Sequence, residues 1–138
     1  MLYDRWRQIA RAQPGETALS EYPSGRGWTF AELAQLVEKL PASSKPVLFA
    51  QGHSAEFIFT VLQAWRDQAV LCPLEVGQTQ TVLPAPPKPT VHLKLTSATT
   101  GPARAVSFRA EQLAADAENI VATMGLRAEW PNLGVISL

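Results

Sequence analysis

The sequence predicts an α/β domain, and three observations carry that prediction. Two short apolar runs, "VLFAQ" and "AVLCPL", lack the in–out alternation of a half-wet strand, as expected of strands covered on both faces. Between them lies a segment with helical apolar spacing, so strand, helix and strand form a βαβ unit with parallel strands and a right-handed crossover. Further on, "VHLKL" and "ARAVSF" do alternate, and they bracket a polar loop as the two arms of a hairpin.

The elements follow in order. Leu2 to Gln13 places Leu2, Trp6, Ile9 and Ala10 on one helical face, and Pro14-Gly15 ends that helix. "TALSEYPSGRGWTF" then reads as two short strands around the turn-rich "YPSGRG". Thr29 and Glu32 form an S/T-x-x-E capping box, in which each side chain satisfies the other residue's backbone N–H. Leu33, Leu36, Val37 and Leu40 follow as the buried stripe of that helix, and Pro41 closes it.

The crossover helix starts at Ser54 as N-cap, with Glu56 in its first turn. Phe57, Ile58, Val61, Leu62 and Trp65 make its apolar stripe, read as core rather than as a cofactor box. Helices are expected on both faces of the sheet. Pro84, Pro86, Pro87 and Pro89 exclude a helix or central strand and mark an extended linker. After the hairpin, a long helix carries Leu113, Ala117, Ile120, Val121 and Met124 on one face, also read as core, and Gly125 stops it. "NLGVISL" reads as a last strand. The division is 1–83 as an α/β subdomain, 84–90 as a Pro-rich linker, and 91–138 as hairpin, helix and strand, together one partial domain.

Composition narrows the function. The chain has 138 residues, 46% hydrophobic and 17% charged, with twelve basic and twelve acidic side chains that cancel. A nucleic-acid footprint needs a clustered basic excess, so that class is set aside. Cys72 is the single cysteine and sits in an apolar run, which makes it a small buried hydrophobe and leaves no disulfide framework. His53 and His92 lack metal-ligand spacing, and His53 reads as a loop or capping residue rather than a base. Asp116 and Glu118 do not share a helix face, so they make no paired-carboxylate site. "MLYDRWRQIARAQ" has no apolar core of a secretory signal, and no run approaches the ~20 apolar residues of a membrane span. A cytoplasmic location is the expectation.

The stretch "LTSATTGPARAV" holds more hydroxyls than a hairpin turn requires. Ser, Thr and Gly offer hydroxyl donors and approachable backbone N–H groups, and converging N–H groups form a nest for anions such as phosphate. Arg104 is the cation within it and can add a charge-assisted hydrogen bond. It is not a Walker A loop, since no G-K-[ST] closes it and no helix opens from it. An exposed Thr-rich hairpin tip is the alternative on spacing alone.

This stretch resembles the phosphate loop of the adenylate-forming ligases, the superfamily of acyl-CoA synthetases, luciferases and peptide-synthetase adenylation domains. Their motif reads T-S-G-[ST]-T-G-x-P-K-G-V. Thr96, Ser97, Thr99, Thr100, Gly101 and Val106 match it, with Arg104 in the lysine position. "GWTFAELAQLVEKL" is similar to the family's W-T-Y-x-E-L stretch. "GHSAEFIFTVLQAWRDQAVLCPL" is similar to its N-s-x-E-f helix and the strand that follows, in the same order. Ala98 replaces a family glycine, Arg109 a capping Ser or Thr, and Ala110 a frequent histidine. The linker stands where the family usually has a further α/β unit.

The resemblance implies the N-terminal portion of an enzyme joining a carboxylate to ATP as acyl-AMP, with release of pyrophosphate and later acyl transfer to a thiol such as coenzyme A. Thr96, Ser97, Thr99, Thr100, Gly101 and Arg104 are the implied ATP-binding residues, with Mg²⁺ sharing the phosphate charge. No residue is assigned as acid, base, nucleophile or metal ligand. The family's adenine site and catalytic lysine lie downstream, so the chain alone is expected to be inactive. The other class of function is a non-catalytic nucleotide-binding or protein-interaction remnant that self-associates through exposed sheet surface.

Overall fold

The computed structural model describes residues 2–22, 24–80, 83, 85–96 and 104–131. Helix α1 (Leu2–Ala12) is followed by an antiparallel pair, β1 (Thr17–Glu21) and β2 (Arg26–Thr29), and then by α2 (Phe30–Lys39). The βαβ unit consists of β3 (Val47–Gln51), α3 (Ala55–Arg66) and β4 (Val70–Leu74), with β3 and β4 parallel. The hairpin arms are β5 (His92–Leu95) and β6 (Ala105–Phe108), and α4 (Ala110–Met124) ends the described elements. The larger sheet has the order β3-β4-β5-β6, with β5 parallel to β4 and antiparallel to β6. The fold is therefore mixed α/β. The strand expected at "NLGVISL" lies outside the described residues.

Local chemistry accounts for the helix ends. Both halves of the Thr29–Glu32 capping box form: Thr29 Oγ1 accepts from the Glu32 N–H at 3.2 Å, and Glu32 Oε2 accepts from the Thr29 N–H at 2.8 Å. At the other end of α2, the Arg66 guanidinium donates to the carbonyls of Val37 and Leu40, so α3 supplies the C-terminal cap of its neighbour. Asp67 holds that guanidinium at 2.7 Å and also accepts the Ser43 N–H.

The start of α3 differs from expectation. Ser54 stands at the N-cap but makes no side-chain cap; its hydroxyl bonds the Glu56 carboxylate, which lies below its usual range as a result. The Ala55 N–H donates instead to Glu21 Oε1 at 2.9 Å, from β1. One carboxylate thereby fixes the hairpin against the crossover helix.

The core has two sheet faces and one helical layer. Leu48 and Ala50 of β3 and Leu71 of β4 point toward Phe57, Val61 and Ala64 of α3. Leu33 and Val37 of α2 join Leu62 beneath α1 and the β1–β2 pair. The opposite sheet face gathers Val70, Cys72, Leu74 and Leu93, and Leu83, just before the Pro-rich linker, packs onto it. Helices on both faces were expected; among the described residues no helix packs against this one, which corrects that expectation. Cys72 is fully buried and its thiol is pushed up by desolvation, the behaviour of a packing residue.

A second correction concerns α4. Its stripe was expected to be core, yet none of its residues is buried, and Ile120, Val121 and Met124 are 45%, 48% and 66% exposed. Its N-cap Arg109 cannot accept a hydrogen bond. Only half a capping box exists there, with the Arg109 N–H donating to Gln112 Oε1 at 2.8 Å. Gly125 ends the helix in the left-handed region, at φ 62°.

Candidate functional site

The loop that the sequence singles out is held at its base by the β5–β6 hairpin. The pairing runs from His92↔Phe108 to Leu95↔Ala105, and two further bonds carry it beyond the strands. The Thr96 N–H donates to the Arg104 carbonyl at 2.9 Å, and the Arg104 N–H donates to Thr96 Oγ1 at 3.1 Å. The threonine hydroxyl thus accepts from the backbone and keeps its own O–H to donate. Both residues are exposed. Thr96 and Arg104, eight positions apart, are brought together at the end of the hairpin. Ser97, Thr99, Thr100 and Gly101 lie outside the described residues.

One face of β5 leads from the loop into the molecule. His92, Lys94 and Thr96 alternate with Leu93 and Leu95, which face the buried Cys72 side. The position of β5 is set by Leu71, whose N–H donates to the Val91 carbonyl at 3.0 Å. Two residues on, Pro73 occupies the same edge without an N–H, and the β4–β5 register is confined to Leu71↔His92.

Beside this face runs a groove of about 1080 Å³, between α4 on one side and α1, α3 and the sheet on the other. Trp6, Phe57, Val61, Trp65, Leu71 and Leu113 line it, and Lys94 and Thr96 border it on β5 and beyond. Arg5 and Glu118 form an ion pair at 3.2 Å from α1 to α4. His92 also faces the groove, with Phe108 edge-on at 5.9 Å. Burial, and then the nearby Lys94, hold its imidazole below the usual range. Lys94 has no ion-pair partner among the described residues.

The groove is not written in any local pattern, because its walls are 113 residues apart along the chain at the Arg5–Glu118 pair. Its signal was α4 itself, an apolar stripe that nothing in the described residues covers. His53 is an exposed loop residue, and Glu118 is engaged by Arg5. Among the described residues no cluster of His, Cys, Asp and Glu could hold a metal, and no helix is long and apolar enough to cross a membrane.

No protein-family model matches the sequence, and no curated protein matches it. The fold does have solved counterparts. The structure described as "Complex structure of VinN with L-aspartate" is similar at a TM-score of 0.70 and 17% identity, over 94% of this chain. The chain spans about half the length of that protein, 53%. At this identity the likeness shows the fold: the helices and mixed sheet of this chain are arranged as in a region of a larger protein.

Proposed function

We propose that this chain is the triphosphate-holding N-terminal part of an adenylate-forming ligase. The observation that carries the reading is the loop from Thr96 to Arg104, closed at the end of a hairpin by one backbone hydrogen bond and one from the Arg104 N–H to the Thr96 hydroxyl, and matching the family's phosphate motif. The order of the other motifs along the chain supports it, and so does the similarity in fold to a protein about twice as long.

In this reading a carboxylate oxygen attacks the α-phosphorus of ATP. The bond from that phosphorus to the bridging oxygen breaks, and pyrophosphate leaves with the negative charge. The hydroxyls of Thr96, Ser97, Thr99 and Thr100 and the amide of Gly101 hold the β- and γ-phosphates while that charge develops. Arg104 adds a planar, two-pronged donor in place of the family's compact ammonium. Mg²⁺ would neutralise part of the phosphate charge. The acyl group then passes to a thiol such as coenzyme A, with AMP as leaving group.

The test is carboxylate-dependent exchange of pyrophosphate into ATP by the protein that carries this chain. Arg104→Ala is expected to slow exchange about a hundredfold, the scale on which a charge-stabilising donor acts. Unchanged adenylation kinetics in that variant would remove Arg104 from the role.

A further inference from the structure

We propose that α4 is a lid: it swings about Arg109 and closes its apolar stripe onto α1, and the structure shows its open form. The lid itself goes beyond the adenylation reading. Its coupling to the loop rests on that reading.

The groove has matching walls. Leu113, Ala117 and Val121 recur at i, i+4 and i+8 on α4 and line it, opposite Leu2, Trp6 and Ile9 at i, i+4 and i+7 on α1. Two such faces pack with their axes about 8–10 Å apart when nothing separates them. Here a space of about 1080 Å³ lies between α4 and the body, and Ile9 and Val121 stay 44% and 48% exposed on its two sides. Contact between the walls would remove that apolar surface from water. Charge agrees with this partner. α4 carries Glu111, Asp116 and Glu118 and no Lys or Arg, whereas α1 carries three arginines, and the Arg5–Glu118 pair already joins the two helices at 3.2 Å. Both side chains of that pair are exposed, so it guides the helix without locking it. Tethering gives α4 an effective concentration on the order of millimolar at its own groove, which a second copy of the chain does not match at micromolar protein.

The joint is short. β6 ends at Phe108 and α4 starts at Ala110, with Arg109 extended between them at φ −91° and ψ 161°. The first turn of α4 is built on Arg109, whose carbonyl accepts the Leu113 N–H and whose N–H donates to Gln112 Oε1. No residue of α4 is buried, so rotation at Arg109 moves the helix as one piece without emptying a core site. The same rotation pulls on β6, the strand that follows Arg104 at the base of the loop. Lid position and loop geometry are thereby linked, and linkage is reciprocal: triphosphate oxygens held by the loop shift the lid.

Spin labels at Gln8→Cys on α1 and Asn119→Cys on α4 measure the swing in the 138-residue chain by electron–electron distance. Both positions are exposed and neither lines the groove, while Cys72 is fully buried and stays unlabelled. Two distances are expected, the shorter one belonging to the closed lid. Val121→Glu, at an exposed position, should cut the shorter population about tenfold, and Glu118→Lys, facing Arg5, about threefold, with native circular dichroism in both. Inorganic triphosphate should change the ratio about twofold or more. A single distance that Val121→Glu leaves unchanged would overturn the lid. So would loss of the shorter distance on dilution with excess unlabelled chain, since a second copy would then be filling the groove. Two distances that respond to Val121→Glu but not to triphosphate would keep the lid and overturn its coupling to the loop. An intact lid in a protein without pyrophosphate exchange would reject the adenylation reading alone.

Discussion

Glu21 shows how one side chain can join three pieces of chain. Its carboxylate accepts the Ala55 N–H at 2.9 Å, the Arg26 guanidinium at 2.6 Å and the Ser24 hydroxyl at 2.8 Å. Those bonds, with the Ala55 amide foremost, lower its carboxyl from the ordinary 4.5 to about 2. A carboxyl with a depressed folded-state pKa contributes stability above its unfolded value and loses it as the pH falls toward the folded one. The contribution of Glu21 is therefore complete above about pH 4.5 and disappears on the way to pH 2. In Glu21→Gln, the decline of the urea midpoint across that window is expected to be shallower than in the parent chain. Identical slopes would show that the carboxylate has no such role. Neither Glu21 nor Arg66 could be read as a cap from the sequence. Glu21 is 34 positions from the amide it serves, and Arg66 is 29 from Val37. Capping rules see only three or four residues.

Where the cap is local, the element was legible. The Thr29–Glu32 box and the Leu33/Val37 stripe specify α2 without help from the rest of the molecule, and the structure contains both. Thr29→Ala is expected to lower unfolding stability by about 1 kcal/mol, measured by chemical denaturation. A loss no larger than that of an exposed mid-helix substitution would mean that the box is idle. The strands β3 to β6 were legible for the same reason, since alternation or its absence is written in five residues. What covers each face was not. The apolar period of α4 marks a helix equally well whether its stripe meets a sheet or borders a groove. Nor does proline spacing disclose that Leu83 packs on the Cys72 face. The hairpin carrying the candidate loop was legible from its alternating arms; the pairing of Thr96 with Arg104 was not, because alternation does not fix register. The groove was not, because it exists only once α1, α3, β5 and α4 are assembled.

For the whole molecule, one helix stands apart from an otherwise well-filled body. The sheet, α2 and α3 bury residues such as Val37, Ala64, Cys72 and Leu74 almost completely, while α4 contributes no buried residue at all. The resulting groove and the base of the loop meet at Thr96, which gives the molecule one chemically distinctive corner. Fold similarity extends over 94% of the chain to a protein about twice its length. In the proposed function, triphosphate oxygens would be gathered at that corner by the loop that Thr96 and Arg104 close. Amide-resolved NMR of the chain titrated with Mg·ATP tests this most directly. The account predicts weak, saturable shifts at millimolar nucleotide, centred on Thr96, Arg104 and the loop between them, and none with adenosine. Amides at Thr96 and Arg104 that stay still while others move, or no movement anywhere, would contradict it.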